Sequence, residues 1–217
     1  MSAVIAVIDY GMGNLHSVAK ALEHVAPLAR VRVTQRATDI LEADRVVFPG
    51  QGAIGHCMQE LARLDLVETV RRAAREKPFL GMCLGPQALM SHSDENGGIA
   101  ALDVFAGDVH RFPEGLRDAH GLRLKIPHMG WSCVQQIRPH ALWAGIEDGA
   151  RFYFVHSYHL APADPALVAG ETEYGIRFAT ALARANVFAV QFHPEKSAAA
   201  GLQLLANFAA WDPDRTA

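Results

Sequence analysis

Cys83 is set between two glycines in Phe79-Leu80-Gly81-Met82-Cys83-Leu84-Gly85-Pro86-Gln87. Residues 79–82 form a short apolar run that reads as a buried strand. Ala88-Leu89-Met90 begins a helical pattern just beyond it. The G-x-nucleophile-x-G spacing is that of a strand–turn–helix elbow, which holds one side chain at its tip. The turn is tight, so a side chain at Gly81 or Gly85 is expected to collide with neighbouring backbone. The first turn of a helix offers unpaired N–H groups and a dipole that favour thiolate over thiol. The same pattern also suits a small apolar cysteine in a glycine turn, and other residues must decide between the two.

A cysteine nucleophile needs a base, and the base needs a group to orient it. Eleven histidines are available. His193 stands out through its setting, Gln191-Phe192-His193-Pro194-Glu195. Pro194 pushes His193 toward extended backbone. In extended chain, residues two apart point the same way, about 6.5 Å apart. The Glu195 carboxylate can then hold one imidazole nitrogen while the other faces outward, which is the base–orienter half of a triad. A histidine satisfied by chance beside a surface glutamate fits the same five residues. Attack on an amide carbonyl also builds charge on its oxygen. The Leu84 N–H and one from Pro49-Gly50-Gln51-Gly52 could stabilise it, although Pro-Gly pairs are most often plain turns.

The elements that must carry these groups follow from the apolar pattern. Residues 3–8 are a near-continuous apolar run, as in a strand buried on both faces. Asn14 can cap a helix over residues 15–25. Residues 31–33 and 45–48 read as further strands, and residues 54–77 as one or two amphipathic helices. This alternation argues for an α/β fold, an open, twisted, mostly parallel sheet with helices on both faces. In such sheets ligands bind beyond the carboxyl ends of the strands. The second half changes character. Residues 104–111, 122–126, 132–137, 151–155 and 175–182 are strand-like, and predict antiparallel additions. Residues 94–101 and 113–121 read as loops, 187–192 as a buried strand, 198–211 as a helix and 213–217 as a frayed tail.

The 217 residues are half apolar and one-fifth charged, with a net charge of −3 and three cysteines. There is no basic surplus to suggest nucleic acid. No run is long enough to cross a bilayer, and residues 1–9 lack a cationic leader, so no membrane association is expected. Cys57, Cys83 and Cys133 form neither a disulfide framework nor a zinc pattern, which suits a cytoplasmic protein with reduced thiols. Gly11-x-Gly13 invites a dinucleotide reading, but His16 stands where its third glycine belongs. His156-x-x-His159 is a poor metal pair, since i and i+3 on a strand face different ways. No metal and no cofactor are expected.

Taken together, Gly81-Met82-Cys83-Leu84-Gly85, His193-Pro194-Glu195 and Pro49-Gly50-Gln51-Gly52 resemble the class I (triad) glutamine amidotransferases. Four further stretches narrow the likeness: Asp9-Tyr10-Gly11-Met12-Gly13-Asn14, Lys125-Ile126-Pro127-His128-Met129-Gly130-Trp131, Phe152-Tyr153-Phe154-Val155-His156-Ser157-Tyr158, and Gln191 to Ser197. With them the whole chain, residues 1–217, is similar to the family of glutaminase subunits of imidazole glycerol phosphate synthase. The resemblance implies a single amidotransferase domain that hydrolyses L-glutamine. Cys83 would be the nucleophile, His193 the base, Glu195 its orienter, and Gly52 and Leu84 the oxyanion hole. Gly50, Gln87, Ser157 and Tyr158 would bind glutamine. The implied partner is a (β/α)8-barrel cyclase subunit in a heterodimer, met by Tyr10, Gly11, Asn14, Lys125, His128, Met129, Trp131 and Lys196. Gln51 and Pro86 depart from the family's usual residues. Two alternatives stay open: a glutaminase serving another synthase, and a non-catalytic regulatory subunit of the same fold.

Overall fold

The computed structural model describes residues 2–214. In chain order its elements are β1 (Val4–Ile8), α1 (Leu15–Val25), β2 (Arg30–Thr34), α2 (Ala37–Glu42), β3 (Arg45–Phe48), α3 (Ile54–Arg63), α4 (Val67–Glu76), β4 (Phe79–Met82) and α5 (Leu84–Leu89). There follow β5 (Met90–Ser93), β6 (Ile99–Ala100), β7 (Phe105–Arg111), β8 (His128–Cys133), β9 (Gln135–Gln136), β10 (Arg151–His156) and β11 (Tyr158–Pro162). Last come β12 (Val168–Glu173), β13 (Arg177–Arg184), β14 (Val187–Val190) and α6 (Ala198–Ala210).

The main sheet runs β2-β1-β3-β4-β14-β13-β11-β7-β5-β6, with β12 pairing both β13 and β9. From β2 to β14 all pairs are parallel. Beyond β14 the pairs are antiparallel, save β5 with β7. Strands β8 and β10 form a separate antiparallel ribbon. Alternate residues of β1, β3 and β4 feed two cores. Ile8, Val46, Phe48 and Phe79 pack with Ile40, Ile54, Leu61 and Val70 of α2, α3 and α4. Ile5, Val7, Val47 and Leu80 pack with Val18 and Leu22 of α1 and with Leu204, Leu205 and Phe208 of α6. Both faces are therefore covered, which is why these strands are continuously apolar.

Several expectations need correction. Residues 122–126 form no strand. Asp118 Oδ1 accepts the N–H groups of His120 and Leu122, which closes a turn instead. The strand expected over residues 132–137 divides, because Val134 leaves the ribbon to hydrogen-bond Ala150 while β9 joins β12. The helix after the elbow starts at Leu84 and stops at Leu89, and Met90 enters β5 in extended geometry. Residues 94–101 hold a 3-10 turn and β6 rather than a plain loop. Pairing in β14 ends at Val190, so Gln191 and Phe192 lie beyond the strand, though buried. Asn14 stands at the start of α1, but its side chain makes no capping bond. Of the expected tail, Pro213 and Asp214 form a turn, and residues 215–217 lie outside the described residues.

Candidate active site

Cys83 occupies the junction of β4 and α5 with φ 55° and ψ −93°. A left-handed backbone at a residue with a side chain costs about 1–3 kcal/mol and persists only where the surroundings enforce it. Here they do. The Cys83 N–H donates to the Val190 carbonyl at 2.9 Å, and its carbonyl accepts from Gln191 Nε2 at 3.0 Å. Space requires glycine at position 85 and leaves a side chain at position 81 tightly crowded. A Cβ on Gly85 would collide with the Phe48 carbonyl, and one on Gly81 would lie 3.3 Å from the Pro86 nitrogen. Pro86 falls in the first turn of α5, where its missing N–H removes no helix bond.

His193 follows β14, the strand paired with β4. Its N–H donates to the Tyr153 carbonyl at 2.9 Å. Its carbonyl accepts from Ser197 Oγ at 2.6 Å, and that hydroxyl accepts from the Tyr153 N–H at 2.9 Å. The turn also packs onto α6, where a Cβ on Gly201 would strike the Pro194 carbonyl. Glu195 Oε1 lies 2.9 Å from His193 Nδ1, and both side chains are buried. A carboxylate can only accept, so Nδ1 carries the proton. Nε2 has no hydrogen-bond partner among the described residues. Cys83 borders the same cavity and interacts with the ring, short of the geometry of a full hydrogen bond. Burial alone lowers the imidazole pKa; the interactions with Cys83 and Glu195 outweigh it and push it up to about 9.

Cys83 and His193 open onto a cavity of about 500 Å³. Gly52, Leu84, Gln87, Ser157 and Tyr158 line it, as do Gln51, Glu95 and His156. Gly50 lies instead on a small crevice behind the pair, with Asn14, Pro49 and Glu195. Gln87 Nε2 donates to Gln191 Oε1 at 3.0 Å and to the Tyr158 carbonyl at 3.3 Å. Both of its amide protons are thereby used, leaving Oε1 as an acceptor. Gly52 has φ +90°, which glycine tolerates. The Leu84 N–H donates to the Gly50 carbonyl at 3.4 Å, so in this conformation the glycine loop covers one of the two expected oxyanion donors.

Of the residues assigned to a partner face, Gly11, Lys125, Met129, Trp131 and Lys196 are exposed and Asn14 is half-buried. Tyr10 and His128 are corrected: both side chains are in the core. Tyr10 packs on Phe48 with ring centroids 5.5 Å apart, and His128 stacks on Tyr174 at 4.0 Å. Sequence reasoning misses four positioning groups. Gln191 and Ser197 lie inside recognisable motifs, but nothing in their spacing says that they brace Cys83 and His193. Glu95 reaches the site from the turn after β5 and accepts the Ile54 N–H at the start of α3. His156 suggests from its spacing only a metal ligand. It bonds His128 and the Tyr158 carbonyl instead.

The profile of the family Glutamine amidotransferase class-I matches residues 6–210. The chain is 60% identical over 210 residues to "Imidazole glycerol phosphate synthase subunit HisH" of Aromatoleum aromaticum, covering 96% of this chain and 99% of that protein. It is 61% identical to the protein of the same name from Methylococcus capsulatus, with 96% and 97% covered. Among solved structures, a putative GMP synthase subunit from Thermoplasma acidophilum superposes with a TM-score of 0.70 at 17% identity, covering 97% of this chain and 94% of that one. That likeness concerns the fold.

Proposed function

Because the chain belongs to the class I glutamine amidotransferase family, we propose that it hydrolyses L-glutamine to glutamate and ammonia as the glutaminase subunit of imidazole glycerol phosphate synthase. The observation that carries this reading is the Glu195–His193 pair beside Cys83 at one cavity. His193 Nε2 takes the Cys83 thiol proton, the sulfur attacks the side-chain amide carbon of glutamine, and the C–N bond breaks. The departing nitrogen takes the proton held by His193 Nε2 and leaves as ammonia. His193 then removes a proton from water, which attacks the thioester, and glutamate departs as the thiol re-forms.

Glu195 holds the ring in the tautomer that presents Nε2. The Leu84 N–H stabilises the oxyanion once the Gly50 carbonyl turns away, with a second N–H from Gly52. Gln87 Oε1 and the Glu95 carboxylate offer acceptors to the substrate's α-ammonium group. Ser157 and Tyr158 wall the cavity. The whole chain, residues 1–217, works as one amidotransferase domain, supported by the matched span of 6–210.

Ammonia passes to a (β/α)8-barrel cyclase subunit in a heterodimer. There it reacts with a phosphoribulosyl formimino-aminoimidazole carboxamide ribotide, giving imidazole glycerol phosphate and aminoimidazole carboxamide ribotide in histidine biosynthesis. The exposed Met129 and Trp131 of β8, with Gly11, Lys125 and Lys196, supply the docking face. Free thiols at all three cysteines fit a cytoplasmic setting.

The test is a mixture of this chain with the cyclase subunit of the same organism. Glutamine should then support imidazole glycerol phosphate formation. A mixture that turns over with added ammonium but not with glutamine contradicts the reading.

A further inference from the structure

The reaction proposed above uses neither His128 nor His156, yet both are buried and joined in one array. They face each other across the β8–β10 ribbon. His156 Nδ1 lies 2.7 Å from the Tyr158 carbonyl, His156 Nε2 lies 2.9 Å from His128 Nδ1, and His128 Nε2 lies 2.8 Å from Ser132 Oγ. The protons in this array can be assigned by elimination. A carbonyl only accepts, so His156 Nδ1 carries hydrogen. Burial lowers both imidazoles, His156 to about 3 and His128 to about 4, so each ring holds a single proton at neutral pH. His156 Nε2 is then an acceptor, which makes His128 Nδ1 the donor. His128 Nε2 accepts in turn from the Ser132 hydroxyl.

The array ends on the glutamine cavity. The Tyr158 carbonyl that receives the His156 proton is the same one that receives a proton of Gln87 Nε2. Gln87 continues through Gln191 to the Cys83 carbonyl. One connected network of hydrogen bonds therefore joins Ser132 to the nucleophile's own backbone, with the histidine series and Gln87 both donating into the Tyr158 carbonyl. It contains no charged group and leaves one tautomer for each histidine.

We infer that His128 and His156 are positioning residues for glutamine: as two neutral Nδ1–H imidazoles they fix the Tyr158 carbonyl, and through it the Gln87 side chain that receives the substrate. This rests on the glutaminase reading above. The strand that carries His128 also carries Met129 and Trp131, whose side chains are exposed. The pocket is thus tied to the strand proposed to meet the cyclase subunit.

The test uses the assembled complex with the cyclase subunit. His128→Phe keeps a ring between Phe154 and Tyr174 but removes the donor to His156. His128→Asn restores an N–H where Nδ1 stood. Gln87 acts by binding, so its misplacement should raise KM for glutamine about tenfold while kcat stays within about twofold. His128→Asn should bring KM back to within about threefold of the unaltered protein. An unchanged KM in His128→Phe overturns the inference. So does an equal KM rise in both variants, or a loss confined to kcat. Nitrogen-15 NMR of the unaltered complex needs no variant: both rings should show a protonated Nδ1 and a bare Nε2 at neutral pH. An imidazolium or an Nε2–H ring at either position overturns the assignment. Failure of the unaltered complex to hydrolyse glutamine at all sinks the glutaminase reading instead, and so is distinct from these results.

Discussion

The tips of β4 and β14 and the β8–β10 ribbon wall the same cavity and are tied together where the His193 N–H meets the Tyr153 carbonyl, but they differ in what surrounds them. At the tips, backbone bonds and close packing leave no freedom. Cys83 is tied to Val190 and Gln191, His193 to Tyr153 and Ser197, and Gly85 and Gly201 admit no side chain. The ribbon is paired along its backbone and further joined by the side chains of His128, His156 and Ser132, and it shows Met129 and Trp131 to solvent. The atoms proposed to react sit where the chain is enclosed, and the parts proposed to meet a partner sit where it is open to solvent. Catalysis repays fixed geometry at the reacting centre, where small misplacements are expensive.

The contrast can be broken most severely at Cys83. Replacing it by Ala or Ser should lower ammonia release by about a thousandfold or more, with heterodimer formation by gel filtration unchanged. Normal turnover in either variant removes the elbow from the mechanism. Glu195→Gln comes next. Loss of the carboxylate should lower kcat/KM on the order of a hundredfold. It should also move the basic limb of the pH profile downward. The sign follows from the raised imidazole: its folded value is about 9 against an ordinary 6.5. The charged ring's contribution to stability is therefore fully present below pH 6.5 and is lost as pH rises through about 9. Activity that needs this proton for departing ammonia should fall over the same range. A basic limb identical in Glu195→Gln and the unaltered protein contradicts the pairing.

Packing at the tips gives a smaller effect, read as stability. Gly85→Ala should cost about 2–3 kcal/mol, seen as a lower midpoint in denaturant. Gly130→Ala on the ribbon meets nothing within 4 Å but takes a φ of +135°. It should cost about 1 kcal/mol through backbone strain alone. Equal losses at the two positions would erase the contrast. The smallest effect is expected at the exposed face: Trp131→Ala should weaken cyclase binding about tenfold by calorimetry and leave the denaturant midpoint nearly unchanged.

The two regions also differ in how far their sequence can be read. Strands β1, β3 and β4 are covered on both faces, so their residues form continuous apolar runs that mark themselves. The His193–Glu195 pair follows from local rules, since Pro194 sets the spacing that joins them. Beyond β14, β6 and β9 are very short, β11 and β12 are only partly buried, and register shifts interrupt β12 and β5. There β5, β6, β11 and β12 leave no clear pattern, and residues 122–126 mimic a strand although Asp118 closes a turn. The family likeness draws Tyr10 and His128 to the surface, while their burial depends on Phe48 and Tyr174, which lie far away in the chain. Gln191 and Glu95 are hidden for the same reason: their partners are distant, and no spacing encodes them.

The central claim is that the Cys83 thiol faces the glutamine cavity beside His193 and is the nucleophile. It is tested most directly by treating the complex with a glutamine-like alkylating agent and mapping the adduct by mass spectrometry. One adduct, on Cys83, abolished by prior addition of glutamine, is the expected result. Modification of the buried Cys57 or the exposed Cys133 in its place, or no adduct at all, would contradict it.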